Sequence, residues 1–125
     1  MLRLQEAERL LETSQWCGAY YLAGYVVECS IKAAICSRVT PFSLPPNKKA
    51  WETLFSHDLQ ALLDMAGLSV DLFRSSASLQ ANWATVKDWS EQSRYQIVDE
   101  VDAKQIHSAI TNPEGGVLEW LKTFW

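Results

Sequence analysis

The segment 16–37 constrains the fold more than any other part of the chain, because its apolar side chains cover nearly the whole circumference of a helix. It contains no proline, and its two charged residues are Glu28 and Lys32. A helix that is apolar nearly all round is buried nearly all round. We therefore predict a long helix over residues 16–37 at the centre of a helical bundle.

Shorter amphipathic segments flank this helix, and in each of them apolar residues recur at three- and four-residue spacing. The sequence shows no strand alternation and no internal repeat. It predicts an all-α fold, an up-and-down helical bundle of four long helices plus a short C-terminal helix, in a single domain over residues 1–125. Residues 38–55, which contain three prolines, are predicted to form a long connection with a short turn near 48–55. The other predicted helical segments are 3–13, 57–66, 76–90, 99–111 and 117–124. Ser56 is predicted to cap the segment 57–66, and Ser14 is predicted to cap 16–37. A polar connection is predicted from Ser90 to Val98.

The charge of the chain restricts its partners and its location. The net charge is −4, whereas proteins that bind duplex DNA usually carry a basic face, so we expect no duplex-DNA binding. No stretch reaches the ~20 apolar residues that span a bilayer, and the first six residues include an acidic one where a signal peptide would be apolar. We therefore expect a cytoplasmic protein that does not bind a membrane.

The three cysteines predict neither a disulfide nor a metal site. Cys29 and Cys36 lie seven residues apart on one predicted helix, about 10 Å along its axis. A disulfide needs Cα atoms within ~7 Å. No Cys-x-x-Cys pair occurs, and no histidine is near, so no metal or cofactor is expected. The cysteines are predicted to be small buried apolar residues.

Glu28 and Lys32 form an i, i+4 pair on the most apolar helix of the chain. Charges inside a core need partners, because unpaired they cost several kcal/mol. Either this polar stripe, flanked by Tyr21 and Tyr25, faces an internal polar network, or it opens onto a groove or a subunit interface. Gly24 on the same helix predicts the close approach of another helix.

Two further polar positions allow both a structural and a functional interpretation. His57 lies beside Asp58 at a predicted helix start, where both can cap the helix, or His57 can act as a general base at a cleft. Arg94 and Tyr95 lie in a polar connection, where Arg94 is either solvated or reaches Glu28 or a phosphate.

Several blocks of the sequence, in this order along the chain, resemble the HEPN domain family ("higher eukaryotes and prokaryotes nucleotide-binding"). The most specific block is AYYLAGYVVECSIKAAI at 19–35, which resembles the central helix of these domains. It is followed by a proline-containing loop, by HDLQALLDMAGL at 57–68, and by a Trp and an Arg-Tyr pair at Trp89, Arg94 and Tyr95. The last block is GGVLEWLKTFW at 115–125.

The resemblance implies a helical bundle that pairs as a homodimer in a prokaryotic setting, beside a nucleotidyltransferase in a toxin–antitoxin or defence module. Many such proteins are metal-independent ribonucleases with an Arg followed four to six residues later by a His. This spacing is absent, because the nearest histidine after Arg38 is His57 and the nearest after Arg94 is His107. The departure from the family pattern argues against ribonuclease activity.

Three hypotheses follow. The first is a binding module that holds a nucleotide, RNA or a nucleotidyltransferase partner at a polar site made of Glu28, Lys32, His57, Arg94 and Tyr95. The second is a divergent metal-independent ribonuclease with His57 and Arg94 as catalytic residues, His57 as acid or base and Arg94 stabilising phosphate charge. The third is a structural dimerisation domain.

A homodimer is also expected because the aromatic content and the apolar segment 19–35 leave surplus apolar surface.

Overall fold

The chain folds into an all-α bundle, as predicted. The structure, a computed structural model, describes residues 1–38 and 47–125, except for the side chain of Arg94. Within these ranges it consists of eight α-helices and a 3-10 helix, with no strand. The helices are α1 (Leu2–Glu12), α2 (Trp16–Ser37), α3 (Lys48–Leu54), α4 (Leu59–Met65), α5 (Ser69–Phe73), α6 (Ala77–Val86), α7 (Glu100–Thr111) and α8 (Val117–Lys122), and the 3-10 helix Glu91–Tyr95 lies between α6 and α7.

Helix α2 forms the centre of the bundle and covers the predicted segment. Helices α1, α4, α7 and α8 and the 3-10 helix all pack against it. Its buried residues include Val26, Val27 and Ile31, each fully inaccessible to solvent. Despite this apolar character, neither α2 nor any other helix in the described ranges is long and apolar enough to cross a membrane.

Four helices have ten or more residues, namely α1, α2, α6 and α7, and α8 is the short C-terminal helix. The prediction lacked two short helices. Helix α5 (Ser69–Phe73) is too short to show helical periodicity in the sequence. Helix α3 lies at the end of the predicted connection 38–55. Residues 39–46 of that connection lie outside the described part of the structure. The polar connection from Ser90 to Val98 contains the 3-10 helix.

Side-chain caps define several helix starts. The carboxylate of Asp58 accepts a hydrogen bond from Ala61 N at 3.0 Å and begins α4, and Asp99 accepts from Asp102 N at 2.9 Å and begins α7. The predicted cap at Ser56 was wrong by two residues, since its hydroxyl accepts from Asp58 N instead. Ser14 does not cap α2 either, because its positive φ of 60° places it in the turn that separates α1 from α2.

The prediction that all three cysteines are buried was wrong. Cys17 and Cys36 are exposed and Cys29 is half-buried, and all three are free thiols. The reason is that each lies on a part of α2 that the neighbouring helices leave uncovered. The Cys17 sulfur lies 3.5 Å from the backbone N of Val98, so this thiol contacts the segment that leads into α7.

Candidate functional site

One face of α2 carries the polar stripe and supports the candidate site. Tyr21, Gly24, Tyr25, Glu28 and Lys32 recur on this face at three- and four-residue spacing. The rings of Tyr21 and Tyr25 stack with centroids 6.3 Å apart. The 3-10 helix packs across α2, and the residues just before it bring further side chains to this face.

Gly24 allows the indole of Trp89 to lie directly against α2. A Cβ atom at this glycine would lie 2.3 Å from three carbons of the Trp89 ring, which is closer than atoms can approach. Tyr21 lies on the same indole, with ring centroids 6.0 Å apart. The predicted close approach is therefore made by a buried side chain of the segment between α6 and the 3-10 helix, and not by another helix.

Glu28 is the buried centre of a charged cluster. Its side chain is 2% exposed, and its Oε1 accepts a hydrogen bond from Lys32 Nζ at 2.8 Å. The same oxygen lies 2.7 Å from Nδ1 of His57. Of the two arrangements left open by the sequence, the internal polar network is present, and it joins the middle of α2 to the start of α4.

His57 connects this buried carboxylate to a second one nearer the surface. Its Nε2 lies 3.0 Å from Oε2 of Glu91, whose side chain is 43% exposed. Ionised carboxylates only accept hydrogen bonds, so both contacts are hydrogen bonds at once only when the ring donates from both nitrogens. Asp58 caps α4, as predicted, whereas His57 precedes the cap and belongs to the charged cluster.

An open cleft of about 810 Å³ lies beside His57. Its walls come from the start of α4, the residues that follow α6, and the beginning of the 3-10 helix. Carboxylates outnumber cations among the described lining residues, so the cleft has an acidic character. The lining residues are His57, Asp58, Gln60, Lys87, Asp88, Trp89, Ser90, Glu91 and Gln92.

Three buried polar atoms in this region have no hydrogen-bond partner among the described residues. They are Oε2 of Glu28, Nε1 of Trp89 and Oγ of Ser93. Buried polar groups are nearly always satisfied, and each exception calls for an explanation such as bound water or a functional role. All three belong to α2 or to the segment 89–93 that covers it.

The negative charge of Glu28 also affects its neighbours on α2. Burial is the main cause that raises the pKa of the half-buried Cys29 thiol, and Glu28 is the second. The pKa of Tyr25 is also raised, first by the neighbouring Cys29 sulfur, then by burial and by Glu28. The carboxylate therefore disfavours any further negative charge on this face of the helix.

Not all of the predicted site residues belong to this cluster. The structure joins Glu28, Lys32 and His57, and among the predicted residues whose side chains the structure describes, His57 is the one that lines the cleft. Tyr95 is 77% exposed at the end of the 3-10 helix. The side chain of Arg94 lies outside the described part of the structure, so its predicted contact with Glu28 or a phosphate stays a prediction.

Sequence reasoning missed Glu91 and the cleft residues Lys87 and Asp88. No sequence pattern indicated a role for Glu91, because it lies in a polar connection without helical periodicity. Gly24 indicated a close approach, but the sequence did not identify Trp89 as the approaching group. The other histidine, His107, is outside the cluster and contacts Glu8 at 3.3 Å, which joins α7 to α1.

The comparisons with known proteins leave the family of this chain open. No family model matches the sequence, no curated protein matches it, and no solved structure matches the fold. In the described ranges, no three His, Cys, Asp or Glu side chains are placed to hold a metal ion.

Proposed function

We propose that this chain is a HEPN-like binding module that binds a nucleotide or RNA in the cleft beside His57. In this proposal it acts in the prokaryotic cytoplasm, as a homodimer and together with a nucleotidyltransferase partner, in a toxin–antitoxin or defence module. The setting and the partner rest on the resemblance of the sequence blocks to HEPN domains. The observation that carries the binding site is the contact of His57 with the buried Glu28 at the edge of a polar cleft.

The size and the lining of the cleft support a small polar ligand. Ligand-binding clefts commonly have volumes of about 300–1,000 Å³, and this one has about 810 Å³. Amide, hydroxyl and carboxylate groups line it, and these groups hydrogen-bond to nucleobases and ribose hydroxyls. His57 is held from two sides, so one wall of the cleft is fixed before a ligand arrives, which lowers the entropic cost of binding.

The charge of the same lining favours binding over phosphodiester cleavage. A ribonuclease needs a proton-transfer group and a charge stabiliser beside one phosphate. Among the described lining residues, Lys87 is the one lysine, and three carboxylates face the same space. Both ring nitrogens of His57 are also engaged by carboxylates, so neither is open for proton transfer to a ligand in this arrangement.

A divergent metal-independent ribonuclease is the second candidate, and the contact between Glu28 and His57 favours it. A buried carboxylate that holds Nδ1 orients an imidazole as a general base, with Nε2 directed elsewhere. Here Nε2 meets Glu91, which is half-exposed and therefore able to move away from the ring. Cleavage of RNA by the purified chain would support this candidate over the binding module.

A structural dimerisation domain is the third candidate. Apolar side chains remain on the surface outside α2, with Phe73 80% and Ile97 99% exposed. Helix α2 buries many of its apolar residues within its own chain, whereas Tyr21, Leu22 and Tyr25 of the segment 19–35 are only partly buried. These side chains and the exposed residues outside α2 support the homodimer as part of the proposal.

Titration calorimetry tests the binding module. The purified chain is titrated with nucleoside monophosphates and with short single-stranded RNAs, and we expect saturable binding to at least one of them. His57→Gln removes the contacts to both carboxylates and should weaken binding, whereas His107→Gln, on α7, should not. Absence of binding to every ligand, with a folded protein by circular dichroism, would rule out this function.

A further inference from the structure

We propose that Glu28, His57 and Glu91 form a pH-sensitive latch, which holds the start of the 3-10 helix against the start of α4 while His57 is protonated and releases it when His57 is neutral. The latch consists of two hydrogen bonds that the imidazole makes at once, from Nδ1 to Glu28 at 2.7 Å and from Nε2 to Glu91 at 3.0 Å. It operates without a ligand, so it goes beyond the proposed function and does not depend on it.

Both contacts of the imidazole require a protonated ring. An ionised carboxylate only accepts hydrogen bonds, and a neutral imidazole has a single N–H. The ring of His57 therefore donates to Glu28 and to Glu91 together only when each of its nitrogens carries a proton. Histidine is the side chain that ordinarily changes its charge between pH 5 and 8. The latch is therefore closed at lower pH and opens as the pH rises.

The two carboxylates respond differently when the ring loses a proton to the solvent. The side chain of Glu28 is 2% exposed, so water cannot replace the imidazole as its donor, whereas that of Glu91 is 43% exposed and can be hydrated. A buried charge that loses a partner is destabilised far more than a hydrated one. The remaining proton therefore stays on Nδ1, against Glu28. The lone pair of Nε2 then repels the oxygen of Glu91, and this carboxylate turns into the solvent.

Charged groups from every element packed around His57 affect its protonation. Carboxylates favour the protonated ring and cations oppose it. Two carboxylates contact the ring directly, whereas Lys32 donates to Glu28 at 2.8 Å and opposes the charge of the ring from there. The direct contacts with Glu28 and Glu91 therefore dominate. The side chain of Arg94 lies outside the described part of the structure. The further titratable groups of these elements are Asp58, Lys87 and Asp88 in the cleft lining, Tyr25 and Cys29 on α2, and Lys48, Lys49 and Glu52 on α3.

The latch holds a segment that has little hydrogen bonding of its own. Glu91 is the first residue of the 3-10 helix, and the hydroxyl of Ser90 before it makes no capping hydrogen bond. A 3-10 helix has poorer hydrogen-bond geometry than an α-helix, so it depends on contacts outside itself. The amide of Ser93 donates to the carbonyl of Ser90 at 3.0 Å, and the amide of Gln96 donates to that of Ser93 at 3.1 Å. Loss of the contact between Glu91 and His57 should therefore open these two hydrogen bonds more often.

Release of the latch also changes the wall of the cleft. In the latched state Nε2 of His57 donates to Glu91, and both residues line the cleft. In the released state the same nitrogen is a hydrogen-bond acceptor that Glu91 no longer covers. The charge of His57 therefore decides whether this wall carries an engaged donor or an open acceptor.

NMR spectroscopy of the ligand-free chain between about pH 5 and 8 tests the latch. Amide exchange of Ser93 and Gln96 is measured and corrected for the intrinsic pH dependence of exchange. Partly exposed ion pairs contribute modestly, so the protection of these amides should fall about fivefold as His57 loses its proton. The ring nitrogen shifts of the neutral form should show the proton on Nδ1. A neutral ring protonated on Nε2, or protection that does not change with pH, would overturn the latch.

Two matched variants separate the latch from a general effect of pH. In Glu91→Gln the side-chain amide accepts from a protonated ring and donates to a neutral one, so the protection of Ser93 and Gln96 should no longer depend on pH. His107→Gln removes the other histidine, which contacts Glu8 from α7, and should show the same change as the natural sequence. Persistence of the change in Glu91→Gln, or its loss in His107→Gln, would contradict the assignment.

Discussion

Glu28 Oε1 lies 2.7 Å from Nδ1 of His57, although the two residues are 29 positions apart in the chain. The contact joins the middle of the central helix to the start of α4, and Lys32 shares the same oxygen at 2.8 Å. A carboxylate whose side chain is 2% exposed is thereby held by a cation and an imidazole. The charged cluster links the core of the bundle to the cleft.

Replacing Glu28 should destabilise the fold more than replacing an exposed glutamate. Glu28→Gln keeps the side-chain shape but removes the charge that holds Lys32 and His57, and hydrogen bonds to charged groups contribute about 1.5–3 kcal/mol each. We expect a loss of about 2 kcal/mol in urea denaturation. The control is Glu119→Gln, which breaks an exposed i, i+3 pair with Lys122 and should cost under about 0.5 kcal/mol. Equal losses would show that the buried cluster adds no stability.

Gly24→Ala should displace Trp89. The new Cβ would lie 2.3 Å from the indole carbons, and this overlap outweighs the gain of up to ~1 kcal/mol in helix propensity. Overpacking of this kind costs about 1–3 kcal/mol, and tryptophan fluorescence should change with the stability. Gly18→Ala on the same helix is the control, because its Cβ would meet only the flexible end of Leu10 at 3.1 Å. A stabilised Gly24→Ala variant with unchanged fluorescence would contradict the observed packing.

The purified chain should not cleave RNA to an appreciable extent in the presence of a chelator. The sequence lacks the Arg-to-His spacing that HEPN ribonucleases, the family proposed for this chain, usually carry, and His57 is engaged by two carboxylates. The assay uses structured and single-stranded RNA with extensively purified protein. Metal-independent cleavage that disappears in both His57→Ala and Arg94→Ala would show instead that the chain is an enzyme.

Alkylation of Cys29 should require a higher pH than that of an ordinary thiol. Burial and the nearby Glu28 raise its pKa, and the thiolate is the reactive form. The pKa of the Cys29 thiol is higher in the folded than in the unfolded state. The contribution of this thiol to the free energy of unfolding is therefore present at lower pH and is lost as the pH rises through the folded-state pKa. Iodoacetamide labelling at several pH values, read by mass spectrometry, checks this. In Glu28→Gln the labelling midpoint should move to lower pH, and an unchanged midpoint would exclude Glu28 as a cause.

The chain should form a homodimer in solution. Light scattering at micromolar concentration should give about twice the chain mass of 14.2 kDa. The exposed Phe73 and Ile97 are the apolar side chains that an interface would cover most effectively. A stable species of 14.2 kDa would contradict the prediction.

Local patterns in the sequence were sufficient to predict the bundle and its central helix. The apolar residues of 16–37 and the absence of proline predict a long helix over this range, which matches α2, because helix formation depends on neighbouring residues. The i, i+4 spacing of Glu28 and Lys32 predicts their ion pair for the same reason. Helix α5 was missed because its five residues are fewer than two helical turns.

Only the tertiary structure determined the rest of the site. His57 and Trp89 reach α2 from positions 29 or more residues further along the chain, and Glu91 reaches His57. No local spacing encodes such contacts. The exposure of the cysteines likewise depends on which faces of α2 the other helices cover. Secondary structure follows from interactions between neighbouring residues, whereas the charged cluster and the cleft depend on how separate helices pack, and packing is the sum of many long-range contacts across the chain.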